Sequence, residues 1–218
     1  MLSEQWIQLM GIGVVETLYM TVISTCFAYV LGLPLGMGLV YFAPEGLRPH
    51  ALLYRLLNIL VNVFRSIPFL ILMIFVSPLT RAIVRTTLGS KAVIVPLVIS
   101  AAPFVGRLIE QSFLEVGRGV LEAAVSMGAT HGQIFRRVYI GESLPSLVNG
   151  MAIAMTTILG YSAMAGALGG GGLGALAITY GYERYQTHIM LITIVLLVVI
   201  VQIIHWLGNR IALAIDKR

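Results

Sequence analysis

The side chains most able to hold a metal or attack a substrate are His50, His131, His188, His205 and Cys26, and their spacing supports neither task. No two histidines stand at a ligand spacing, and the lone thiol has no second cysteine to pair with. No Ser–His–Asp set and no close carboxylate pair accompanies them, so zinc, redox and hydrolytic chemistry have no footing here. The run Gly169-Gly170-Gly171-Gly172-Leu173-Gly174 has the glycine content of a phosphate cradle. It follows an apolar helix rather than a strand and lacks the Lys-Ser/Thr that completes such a loop, which argues against nucleotide binding. A turn that lets backbones pack closely near an external mouth fits it better. Just ahead of it, Gly160, Ser162, Ala163, Ala165 and Gly166 give a small-residue surface suited to close helix packing.

What remains is charge set in apolar surroundings. Arg65 lies about ten residues into an apolar stretch, beside Ser66 and Pro68. Either it faces a bundle interior or a water-filled cavity, or the span begins later and the side chain snorkels to the interface. Glu16, near the outer end of the first apolar run, reads as interfacial. Met151, Met155 and Met164 read as packing filler, with a pathway lining as the lesser alternative.

The elements that must position these residues are set by composition. The chain is 58% hydrophobic and 11% charged, with a mean hydropathy of +0.95, where a soluble domain has about 25% charged residues. Five apolar runs approach the length that crosses a bilayer: 14–40, 56–79, 92–109, 147–168 and 188–207. None alternates polar and apolar like a barrel strand, so the expected fold is an all-α integral membrane protein, one domain over residues 1–218. Gly32 and Pro34 predict a kink or tilt in the first run, and Pro96 and Pro103 fall in the short third. The first run lacks a basic leader and is too long for a cleaved signal, so it reads as retained, with Trp6 an interfacial anchor.

Orientation follows the basic residues. With the C-terminus inside, the cytoplasm holds Arg48, Arg55, Arg107, Arg118, Arg136, Arg137, Arg210, Lys217 and Arg218, while Arg81, Arg85, Lys91 and Arg184 stay outside. This bias favours the N-terminus outside and the C-terminus in the cytoplasm, against the pull of the 81–91 loop. The net charge of +5 is mostly that cytoplasmic excess. No separate basic domain or aromatic-interleaved patch suggests nucleic acid.

The connection at 110–146 is unusually polar; from Arg107 to Pro145 it holds four basic and four acidic residues. That density reads as a docking surface. Gly117-Arg118-Gly119 predicts a turn, 120–127 a helix, and Gly128 the left-handed residue that ends it. Thr130 and Gln133 have the spacing of a capping box, opening a second short helix over 134–139. On that helix Ile134/Val138 and Phe135/Tyr139 are i,i+4 pairs forming an apolar face that must pack on something. Lipid headgroups, with Arg136 and Arg137 toward anionic lipid, are one reading. A groove on a cytoplasmic protein is the other.

Glu122-Ala123-Ala124, then Gly128-Ala129, resembles the cytoplasmic EAA signature of bacterial ABC-importer permeases. The family pattern closes with Ile-x-Leu-Pro; this chain has Val138-Tyr139-Ile140-Gly141 there, with Pro145 four residues later. Phe64-Arg65-Ser66-Ile67-Pro68-Phe69, Ala101-Ala102-Pro103-Phe104, Gly160-Tyr161-Ser162-Ala163-Met164 and the 169–174 glycines resemble the permeases of methionine importers over nearly the whole chain. The resemblance implies five transmembrane helices and a cytoplasmic coupling-helix loop. It implies two ATP-binding subunits that hold ATP and magnesium, so this chain is no enzyme and carries no cofactor. An external substrate-binding protein would deliver methionine, the L form, with the D form as a wider reading. One five-helix bundle without internal duplication further suggests a homodimer. Glu122, Ala123, Ala124, Gly128, Ala129, Phe135, Arg136 and Tyr139 are the expected coupling residues, with Glu122 and Gly128 shaping the loop and Phe135, Arg136 and Tyr139 making the contact. Arg65, Ser66, Pro68, Tyr161, Ser162 and Met164 are candidates for the pathway or its gate. Another amino acid as substrate, or a stand-alone secondary transporter or channel, are the alternatives.

Overall fold

The computed structural model describes residues 4–216, and among them no strand occurs. In chain order the elements are α1 (Glu4–Phe42), α2 (Ala51–Ser66), α3 (Phe69–Val84), α4 (Ser90–Leu114), α5 (Arg118–Ser126), α6 (His131–Gln133), a π-helical turn (Ile134–Tyr139) and α7 (Ile140–Ala165). A 3-10 turn (Gly166–Leu168), α8 (Gly172–Leu176), a second π-helical turn (Ala177–Tyr182) and α9 (Thr187–Ile215) complete it. α1, α4, the continuous run His131–Leu168 and α9 are each long and apolar enough to cross a membrane; α2 and α3 together make a fifth. The expected runs 14–40, 92–109, 147–168 and 188–207 fall inside these helical runs, and 56–79 straddles the break between α2 and α3.

The helices outrun the apolar runs that predicted them. α1 has 39 residues, about 58 Å at 1.5 Å per residue, against a hydrocarbon core of about 30 Å. A helix satisfies its own backbone wherever it continues, so its ends need not coincide with the end of its greasy stretch. For the same reason the expected loop 110–146 shrinks at both ends. α4 runs on to Leu114, and helix resumes at His131 and continues without a break into α7. The second short helix expected over 134–139 is therefore the first part of a membrane-length helix.

Prolines do not decide the breaks. α1 runs unbroken through Pro34, α3 through Pro78 and α7 through Pro145. At Ile67-Pro68 the helix does end: Pro68 has φ −58° and ψ 134°, and the axes of α2 and α3 differ by 105°. The second apolar run is thus a bent pair rather than a rod.

Packing divides the chain into two compact units, each drawn from three segments. The first comprises the described residues of Met1–Phe27, Ile67–Ala101 and Met155–His205. In it α1 presents a buried stripe, Gly13, Thr17, Thr21 and Thr25, whose hydroxyls donate to the carbonyls four residues back at 2.7–2.8 Å. Against this stripe lies the glycine run. A Cβ on Gly166 would come 2.3 Å from the Ala175 nitrogen, and one on Gly174 would come 2.3 Å from the Ala163 carbonyl oxygen. α8 folds back on the end of α7 with no room for side chains. Gly171 and Gly172 adopt φ +80° and +72°, and the Gly172 N–H donates to Glu16 Oε2 at 2.7 Å. Thr17 Oγ1 accepts from the Leu173 N–H at 2.9 Å. Glu16, expected as an interfacial charge, accepts from the first free amide of α8. Trp6, expected at the interface, packs edge-on against Tyr180 at 5.1 Å.

The second unit comprises Ala28–Ser66, Ala102–Ala154 and the described residues of Trp206–Arg218. Here α1 and α4 approach through glycine: a Cβ on Gly36 would sit 2.7 Å from the Gly106 carbonyl oxygen. Both the polar connection and the α2–α4 contact belong to this unit.

Candidate functional site

α5 stands between α4 and α6 as a nine-residue helix too short to persist alone in water. Its C-terminal end is fixed by two backbone hydrogen bonds, Gly128 N–H to Val125 O at 2.9 Å and Ala129 N–H to Ala124 O at 3.1 Å. With Gly128 at φ +77° this is a Schellman motif, as the glycine's position predicted. The next helix opens with the expected capping box: Thr130 Oγ1 accepts from the Gln133 N–H, and Gln133 Oε1 accepts from the Thr130 N–H at 2.8 Å. Two local devices, back to back, set the shape of the turn between α5 and α6. Arg118 also pairs with Glu45 in the α1–α2 connection.

Of the coupling residues expected from the sequence, Ala124 is buried and anchors α5, while Glu122 and Ala123 lie on its exposed face and Ala129 is half-buried. Glu122 makes no hydrogen bond or ion pair with the described residues. The loop-shaping role expected of it falls to Gly128 and the Thr130–Gln133 box, and its carboxylate is left free for a partner. Beside it Val120, Val125 and Met127 are 46%, 53% and 81% exposed. α5 is thus exposed around most of its circumference, with apolar side chains on one side, the unpaired Glu122 carboxylate on the other and only Ala124 turned fully inward.

Phe135 and Tyr139 require a correction. Both were expected to touch a partner; both are buried, together with Ile134. Their rings stack at 4.9 Å, and Phe113 from α4 closes on them at 6.2 and 5.3 Å. Tyr41 from α1 lies 5.9 Å from Phe135, and its hydroxyl bonds His131 Nδ1 at 2.9 Å. The π-helical turn helps: its widened i→i+5 pairing carries Ile134, Phe135 and Tyr139 to one inward face and leaves Arg136 and Arg137 exposed. The amphipathic face was read correctly, but its partner is the end of this chain's own α1 and α4. Only Arg136 of the three expected contacts is outward.

The α2–α4 contact holds charge that sequence reading passed over. The Arg107 guanidinium donates to Glu110 Oε2 at 2.6 Å, to Asn58 Oδ1 at 2.8 Å and to Asn62 Oδ1 at 3.2 Å. Glu110 is 6% exposed. A signal was present: Asn58/Asn62 are spaced i,i+4 and Arg107/Glu110 i,i+3, so each pair shares one helix face. One turn toward the C-terminus of α2 and the N-terminus of α4, the Arg65 guanidinium lies over the Phe104 ring at 5.9 Å. Arg65 and Ser66 are exposed, and Ser66 Oγ donates to the Asn62 carbonyl at 2.8 Å.

The remaining pathway candidates lie in the first unit. Pro68 opens α3; Tyr161 stacks flat on Phe69 at 4.9 Å; Ser162 is buried and donates to the Leu159 carbonyl; Met164 is half exposed. Among the described residues no three of His, Cys, Asp or Glu converge into a metal-holding group.

Residues 28–218 match the model of the family described as binding-protein-dependent transport system inner membrane component. The probable D-methionine transport system permease protein MetI of Vibrio cholerae serotype O1 is 49% identical over 203 residues, 93% of this chain and 90% of that one. That of Pasteurella multocida is 46% identical over 212 residues, 97% of each. A solved structure of inward-facing conformations of the MetNI methionine ABC transporter superposes with a TM-score of 0.97 at 46% identity, covering 99% of this chain and 100% of that one.

Proposed function

Because this chain belongs to the family of binding-protein-dependent transport system inner membrane components, we propose that it is the membrane-spanning subunit of an ATP-driven importer of methionine, in both the L and D forms. It is a multi-pass inner-membrane permease of the ABC-importer fold, and ATP hydrolysis belongs to a separate subunit. Two copies form the pathway, two ATP-binding subunits holding ATP and magnesium dock from the cytoplasm, and an external binding protein delivers the amino acid. The N-terminus lies outside and the C-terminus inside. The chain itself uses no cofactor and binds no nucleic acid; lipid surrounds its outward apolar helices.

The observation that carries this reading is α5. Nothing in the described chain covers Val120, Val125, Met127 or the Glu122 carboxylate. The Schellman turn and the capping box fix the C-terminal end of α5 against α6 in one geometry, which is what transmission of a push requires. α5 is tied through Ala124, Arg118 and the adjoining aromatic cluster to the ends of α1, α4 and α7. Closure of the ATP-binding subunits moves α5 as a lever on helices that cross the membrane, and the permease exchanges inward- and outward-open states.

Gentle-detergent purification of the tagged chain from its native membrane, with mass spectrometry of what accompanies it, tests the assembly. An ATP-binding subunit in equal amount is expected. Reconstituted with that subunit and the binding protein, the complex should import methionine only when ATP is on the side of the ATP-binding subunits and the binding protein is on the opposite side. A stable complex without any nucleotide-binding protein, or uptake by the chain alone on an ion gradient, would replace this reading with a self-sufficient transporter.

A further inference from the structure

Two arginines stand on the α2–α4 contact, one turn apart, and their electrostatic states differ. Arg107 is satisfied: a carboxylate and two amide oxygens surround its guanidinium. Among the described residues the Arg65 guanidinium has no carboxylate partner and lies over the Phe104 ring. It is exposed, within a helix pair apolar enough to span the membrane. A guanidinium set in an apolar span is costly against lipid, so the polar face of Asn58, Asn62, Arg65 and Ser66 on α2 suits a water-filled path or a protein contact. An anion arriving at Arg65 supplies the counter-charge that the described chain does not.

Resting on the methionine reading above, we propose that Arg65 holds the carboxylate of the amino acid as it passes through the permease. The guanidinium presents paired donors that match a carboxylate edge-on. The Phe104 ring, 5.9 Å from the guanidinium carbon, attracts the cation and offers the apolar surface that a thioether side chain favours. Arg107 cannot compete for the same carboxylate, because Glu110 already occupies it. Arg65 makes no ion pair in the described chain, so its replacement strands no buried charge.

The test uses the full complex in proteoliposomes with saturating binding protein, comparing wild type, Arg65→Gln and Arg65→Lys. Arg65→Gln should slow methionine uptake at least about tenfold, as loss of a charge-assisted hydrogen bond implies. ATP hydrolysis stimulated by loaded binding protein should stay within about twofold of wild type, and Arg65→Lys, which keeps the charge but loses the planar fork, should recover only part of the uptake. Uptake by Arg65→Gln within about twofold of wild type overturns the proposal. So does loss of uptake and hydrolysis together in both variants, which would make Arg65 a structural residue. A wild-type complex that hydrolyses ATP but imports no methionine would instead defeat the substrate assignment, and this inference with it.

Discussion

Gly128 offers the sharpest test of the lever, because its replacement isolates a single energetic effect. A Cβ built there meets no atom within 4 Å, so a substituent has space and only the backbone resists it. At φ +77° an L-residue is strained by about 1–2 kcal/mol, least for Asn and most for a β-branched side chain. Escape from the left-handed region gives up the two bonds that end α5, at about 1 kcal/mol each. Alanine, at about 1 kcal/mol, should keep the turn and shift its population roughly fivefold. Valine, at about 2 kcal/mol or more, matches what the two bonds supply and should unravel the turn. Methionine imported per ATP hydrolysed, measured in proteoliposomes, should therefore fall in the order Gly, Asn, Ala, Val. Gly128→Val should still insert and assemble while hydrolysis continues uncoupled. A Gly128→Val complex with the wild-type ratio would remove this turn from the coupling argument, and an Asn variant worse than Val would show that torsion is not the cause.

Three other outcomes follow from the packing. Phe135→Ala should destabilise the purified complex by about 3 kcal/mol, read as a lowered Tm, because Phe135 fills an aromatic cluster, whereas Arg136→Ala should leave Tm unchanged and weaken recovery of the ATP-binding subunit. Arg107→Leu should cost about 3 kcal/mol by stranding Glu110, and the double variant Arg107→Leu/Glu110→Leu should recover much of it in the same Tm measurement. Glu16→Ala should cost about 1–2 kcal/mol through its lost bond to the Gly172 amide. Gly172→Ala should cost more, since its Cβ would lie 2.7 Å from Thr17 Oγ1 at a φ of +72°; equal Tm values for these two would refute the cap.

Sequence alone determined what depends on composition or on neighbours along the chain. Apolar runs of bilayer length gave five spans, four of them inside continuous helical runs and the second divided between α2 and α3, because lipid forces a backbone to pair within its own segment. Gly128 and the Thr130–Gln133 pair were legible because a Schellman turn and a capping box close within six residues. Tertiary structure decided what needs a partner from elsewhere. Glu16 reaches an amide 156 positions away, and Arg107 reaches Asn58 49 positions away; no local pattern says which distant group arrives. Phe135 and Tyr139 made an amphipathic face in either reading, and only the rings of Phe113 and Tyr41 turned it inward. Prolines show the same limit. Pro34, Pro78 and Pro145 lie inside intact helices and Pro68 marks a break, since a lost hydrogen bond ends a helix only where the surrounding packing leaves the chain free to bend.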